Sequence, residues 1–398
     1  MDEAAGIGEM PQESIGTLTA HDPSQEPAPE GWVRRFRHWF LFWPIVVYVA
    51  ARVVTLAVLA ATAPINHHTL YQRLVRWDSH WFLRAAEQGW PRHLPMIHGH
   101  VAGNTTAFFP VFPLAMRFVS SATSLSALAV GVTISGVTGL TAVIAVGLLV
   151  RRFAGTEGAT RGALLFALFP GTFAFNLAYA EGIVLTCVAL GLLALLDRRW
   201  WLAGLLGMVA TATAPISLAF VLSCAWCAGW AVWRNRSLRP LVAPVLAVSG
   251  FLAYRFWLWR HTGVLDAWRL TERGGWKSSP SLAYPFRIIW DFVRNPISPT
   301  VTGQILFFGT VVAVVGAVLA IRQRQPAPVL IYGLTAGLLG AISAPVGLRP
   351  RFVMLAFPLV VAYGTRFRGR AYVATLLVSG VLLVAMTALE FVSLEVFP

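Results

Sequence analysis

Long uncharged apolar runs decide what this chain can fold into. The stretch 301–321 carries no Asp, Glu, Lys or Arg, and comparable runs recur along the 398 residues. A helix of about 20 apolar residues spans a hydrocarbon core about 30 Å thick. A soluble core has no use for so many such runs. Charged residues make up only 12% of the chain, about half the usual share of a soluble domain. A soluble globular domain is therefore excluded.

Apolar segments fall near 40–63, 123–150, 163–179, 182–197, 201–214, 216–233, 241–260, 301–321, 327–345, 352–365 and 371–395. Eleven transmembrane helices are expected, in an all-α, multi-pass plasma-membrane protein. Arg34, Arg35, Arg37 and His38 precede the first segment, which puts the N-terminus in the cytoplasm by the positive-inside rule. Alternation from there places the turns with Arg151, Arg152 and Arg161, with Arg198 and Arg199, with Arg234, Arg236 and Arg239, with Arg322 and Arg324, and with Arg366, Arg368 and Arg370 on the inside. Membrane orientation thus accounts for the net charge of +14 without a nucleic-acid partner. Residues 1–35 hold seven acids up to Glu30 and read as a disordered cytoplasmic tail. Residues 36–398 form the membrane domain.

Two long polar loops, 64–106 and 261–300, land on the outer side. They are where a membrane enzyme has room for chemistry. The segments near Tyr179, Pro215 and Arg349 are short, and half-helices meeting a cavity are expected there.

Four stretches carry candidate chemistry. Asp78, within Arg76-Trp77-Asp78-Ser79-His80-Trp81, is the only acid between Glu30 and Glu87. A carboxylate at the lip of a membrane cavity suits a general base. An N-cap of an amphipathic helix over 77–90 is the plain alternative. Glu181 follows Tyr179 between two short apolar segments, where an acid needs a polar cavity or an arginine. A simple hairpin turn at the surface fits the same residues. Arg349 and Arg351 flank a helix start and suit a phosphate, of a substrate or of a lipid headgroup. Thr271-Glu272-Arg273-Gly274-Gly275-Trp276-Lys277 reads as a mobile loop over a site. Arg52, inside the first membrane segment, needs an anionic partner, and Glu181 is the expected one.

Cys187, Cys224 and Cys227 lie in apolar segments and imply no disulfide framework or zinc site. His67, His68, His80, His93, His98 and His100 match no ligand spacing. A divalent cation is conceivable there, but no cofactor or metal is expected.

The order of motifs resembles a known family. Arg76-Trp77-Asp78-Ser79-His80-Trp81 is similar to the RWDSxxF/W loop of the PIG-V type mannosyltransferases, the group of GPI mannosyltransferase II and its bacterial relatives. Phe108-Phe109-Pro110-Val111-Phe112-Pro113-Leu114 resembles the family's FFPLFPLL. Phe169-Pro170-Gly171-Thr172 through Tyr179-Ala180-Glu181 resembles FPTSFF…YSES, and Arg351-Phe352…Phe357-Pro358-Leu359 resembles RY…FPL. The arginine-rich composition suits an actinobacterial member. The resemblance implies a GT-C type fold with long extracytoplasmic loops. It implies a polyprenyl-phosphate mannose donor, a lipid-linked or envelope glycan acceptor, and an extracytoplasmic active site.

On this reading Asp78 is the general base, with Glu181 in reserve and His80 beside it. Arg76, Trp77, Tyr179, Arg273, Trp276, Lys277, Arg349 and Arg351 bind substrate. A lipid or solute transporter, or a non-catalytic scaffold for envelope assembly, would share the helices and the buried charges.

Overall fold

The computed structural model describes residues 39–65, 69–296 and 300–392. The tail expected over 1–35, and His67 and His68, lie outside the described residues. From Phe40 onward the chain is a single compact unit. It is built almost wholly of helices, with two short β pairings.

In chain order the elements begin with α1 (Phe42–Thr62), α2 (Leu70–Leu74), α3 (Asp78–Gln88), β1 (Met96–Ile97) and β2 (His100–Val101). Next come α4 (Val111–Ala122), α5 (Ala127–Ala167), a 3-10 segment (Pro170–Asn176), α6 (Glu181–Leu196) and α7 (Trp200–Thr211). The middle of the chain forms α8 (Leu218–Asn235), α9 (Val242–Thr262), α10 (Ala267–Gly275), β3 (Ser279–Pro280) and α11 (Tyr284–Arg294). The chain ends with α12 (Val301–Arg322), α13 (Ala327–Ile342), β4 (Ser343–Ala344), α14 (Pro350–Leu355), α15 (Phe357–Arg366) and α16 (Gly369–Val392).

Six helical stretches among the described residues are long and apolar enough to cross a membrane. They are built on α1, α5, α8, α9, α12 and α16. A seventh is the 3-10 segment joined to α6 across a 116° bend. Length and composition among the described residues thus mark six spans, or seven with the bent pair, and do not confirm the expected eleven. The apolar runs 201–214 and 327–345 are helices of 12 and 16 residues. At 1.5 Å per residue these rise about 18–24 Å, short of a full span. The run 352–365 breaks into α14 and α15 at Ala356. The boundary expected after 150 is a kink in α5 at Gly155, whose φ of 71° no other residue type adopts cheaply.

The arginine-rich turns share one end of the bundle. Arg152 pairs with Asp197 at 3.3 Å, and Arg151 lies over the Phe40 ring. Arg161 donates to the Gly364 carbonyl at 3.2 Å, and Tyr372 donates to the Arg161 carbonyl at 3.0 Å. The two polar loops sit together elsewhere and hold each other. Thr106 and Thr271 hydroxyls lie 2.7 Å apart, and Asn104 donates to Thr271. Gly274 lies so close to the hairpin β1–β2 that a Cβ would meet the Val101 carbonyl oxygen at 2.1 Å. The glycine pair expected to make a mobile loop is thus a close backbone contact between loops.

Arg52 is buried in α1 but does not pair with Glu181. It donates to the carbonyl of Thr172, to its hydroxyl at 3.0 Å, and to Asn176 at 3.5 Å. Asn176 in turn donates to Thr55 at 2.6 Å. Glu181 is beyond this network because the chain turns at 177–180 and carries it to a different arginine. The network anchors the 3-10 segment, whose Gly171 meets the start of α14: a Cβ there would lie 2.3 Å from the Pro350 carbonyl oxygen. Arg52 therefore fixes a segment that itself abuts Arg351.

Candidate active site

Asp78 opens α3. The residue before it, Trp77, has φ 53° and ψ −127°, a conformation that costs a non-glycine residue on the order of 1–3 kcal/mol. Asp78 is thus set at the helix start by backbone strain. No side chain caps α3, so the N-cap role weighed for Asp78 is not the one it fills.

Glu181 opens α6 at the 116° bend. A carboxylate at a helix N-terminus meets the positive end of the helix dipole. Arg351 lies in the first turn of α14, behind Pro350, a residue suited to that position.

These three side chains meet. Arg351 donates to Asp78 Oδ2 at 2.6 Å, and the same nitrogen lies 3.5 Å from Glu181 Oε1. One guanidinium therefore bridges two carboxylates from distant parts of the chain. Its flat face rests on the Tyr179 ring, 5.0 Å from the centroid, and on the Phe352 ring at 4.8 Å. Tyr179 is fully buried. It backs the Arg351 guanidinium.

A cavity of about 840 Å³ opens beside this cluster. Asp78, Glu181 and Arg351 line its polar part together with Glu272, Arg269 and Arg273. Arg255 lines it too and pairs with Asp266. The lining is also apolar: Leu218, Val221 and Leu222 of α8 and Leu339 of α13 contribute to it, with Thr335. Trp276 lines the mouth, packed against Trp81 and Phe108 at 5.3 and 5.6 Å between centroids. Glu272 is pushed up to about 7, first by burial and then by the negative charge of Asp78.

Other expected residues lie apart. His80 is exposed and does not line the cavity. Lys277 is exposed with a φ of 53°. Arg76 stacks on the Trp77 ring at 4.5 Å. Neither these three nor Trp77 and Arg349 line the cavity. Arg255 and Arg269 were not among the expected site residues, and Glu272 stood in the expected loop without an assigned role. For Arg255 a signal existed, a charge inside the apolar run 241–260. Nothing in the spacing marked Arg269.

The fold is similar to that of ArnT from Cupriavidus metallidurans. Against ArnT bound to undecaprenyl phosphate the TM-score is 0.52 at 15% identity, over 83% of this chain and 62% of that one. Against apo ArnT it is 0.53 at 14% identity, over 83% of this chain and 61% of that one. The chain thus spans about three fifths of the length of ArnT. No protein-family model and no curated protein matches the chain. The likeness establishes that this chain shares the helical fold of ArnT, in keeping with an all-α, multi-pass membrane protein.

Proposed function

We propose that this protein is a membrane glycosyltransferase. It takes a sugar, mannose by the sequence resemblance, from polyprenyl phosphate and joins it to a lipid-linked or envelope glycan with inversion. The observation that carries the reading is the cavity. One chamber is lined by four arginines, by three carboxylates and by leucine and valine side chains of α8 and α13. That is the shape of a phosphate joined to a long apolar chain. The structural neighbour ArnT has been captured with undecaprenyl phosphate, which supports such a ligand here.

The chemistry follows from the positions. The acceptor hydroxyl attacks the anomeric carbon as the bond from that carbon to the phosphate oxygen breaks. Asp78 takes the hydroxyl proton. It spends Oδ2 on Arg351, and no described residue donates to its Oδ1. Arg351 holds Asp78 and Glu181 in register, with Glu181 the reserve base. Of the arginines expected to hold the phosphate, Arg273 keeps that role and Arg269 joins it, because Arg351 is engaged by two carboxylates and Arg349 does not line the cavity. Stabilising charge as it develops is often the largest catalytic contribution.

The arginine-rich turns at one end of the bundle support a cytoplasmic position for that end. The cavity then opens on the extracytoplasmic side of the plasma membrane. The test is to incubate purified protein in proteoliposomes with labelled polyprenyl-phosphate mannose and an envelope lipid extract. A labelled glycolipid and released polyprenyl phosphate are expected. Uptake of intact donor without a new covalent product would make the protein a transporter. No donor binding at all would make it a scaffold.

A further inference from the structure

Helix α11 presents three different stripes. Tyr284, Ile288 and Phe292 face the protein. Tyr284 donates to the Pro345 carbonyl at 2.8 Å, and the Phe292 ring stacks on Phe307 of α12 at 3.7 Å between centroids. Arg287, Asp291 and Arg294 form a polar stripe on another side. The side opposite the packed stripe is apolar. Phe286, Ile289, Trp290 and Val293 recur at i, i+3, i+4 and i+7, a single helical face, and Leu282 is exposed in the turn just before it. Leu282, Phe286 and Val293 are exposed to 73%, 72% and 63%.

The packed stripe seats α11 against a candidate membrane span. Phe292 contacts both Phe307 and Phe308, two turns into the span α12. The exposed side of that span carries Phe308, Val311, Val315 and Val318. At 11 residues α11 is too short to cross a bilayer, since it rises only about 16 Å. Trp290 sits at the border of the apolar and polar stripes with Arg294 over its ring at 4.4 Å. An aromatic ring beside a cation at that border suits the headgroup level of a bilayer.

We propose that α11 is an interfacial helix, with its apolar face sunk into the leaflet beside the cavity mouth and its arginines among the headgroups. The helix is tied to the cavity wall. Pro280 of β3 and Ser343 of β4 both line the cavity, and the two strands pair just ahead of α11. The leaflet therefore supports one rim of the cavity through α11. This inference does not depend on the catalytic reading.

The test uses the full chain, with Cys187, Cys224 and Cys227 replaced by alanine, in vesicles of phosphatidylcholine and phosphatidylglycerol. Single cysteines (Phe286→Cys, Val293→Cys, Arg287→Cys and Arg294→Cys) are spin-labelled, and their accessibility to oxygen and to a water-soluble nickel chelate is read. The first two labels are expected to be oxygen-accessible and nickel-shielded, at a depth of about 5–10 Å. The other two are expected to be nickel-accessible. If Phe286→Cys fails to fold, Ile289→Cys reads the same face. Nickel access at all positions would overturn the proposal, leaving the face in water. Exclusion of both probes at 286 and 293 would also overturn it, because protein would then cover the face.

Discussion

Arg351 donates to Asp78 at 2.6 Å while the same nitrogen stands 3.5 Å from Glu181. Asp78 comes from the first long polar loop, Glu181 from a bent apolar segment and Arg351 from a helix start late in the chain. The contact is a three-way lock on the site.

Removing the arginine is expected to be severe. Arg351→Ala leaves two partly buried carboxylates facing each other without a cation. Breaking a buried ion pair from one side costs about 3–5 kcal/mol. A clear drop in the unfolding midpoint in detergent should result, with Asp78→Asn in the same background restoring part of it. An unchanged midpoint would mean the ion pair does not form.

Glu272 should give the protein a pH-dependent stability. Its folded value of about 7 lies above that of an unfolded carboxylate. Between the two values the folded state holds the extra proton, so this contribution falls as pH rises through that window. The loss is complete above about 7. Unfolding midpoints of wild type and Glu272→Gln, compared across the window, should converge at its acid end and separate in favour of the variant at its alkaline end. Parallel curves would contradict the buried site.

The loop-to-loop contact should be intolerant of volume. Gly274→Ala drives a Cβ to 2.1 Å from the Val101 carbonyl oxygen. Overpacking of this kind costs about 1–3 kcal/mol. Faster limited proteolysis within 90–105 is expected, with the membrane helices intact.

Arg52→Met should loosen the 3-10 segment. It removes the bonds to Thr172 and Asn176. Hydrogen bonds to a charged group are worth about 1.5–3 kcal/mol each. A lower midpoint is expected, and one matching wild type would show that the network carries no stability.

Much of this was legible in the chain. Apolar length alone marks α1, α12 and α16, because lipid demands it. Helix α3 shows in the run from Trp77 to Trp90. Asp78, Glu181 and Arg351 each stand out as charges beside apolar segments. Their mutual contact does not, since spacing says nothing about which helices are neighbours. The same gap led from Arg52 to Glu181, when the true partners are Thr172 and Asn176. The number of spans is harder to read, because short apolar helices such as α7 and α13 have the composition of full spans without their length.

The most direct test of the central claim is transfer by Asp78→Asn. The variant is inserted in proteoliposomes with donor and acceptor lipids, and its fold is confirmed by its unfolding midpoint. A base in Asp78 predicts a fall in transfer rate of roughly 10²–10⁴-fold, with donor binding retained. Transfer at the wild-type rate by the folded variant would contradict it.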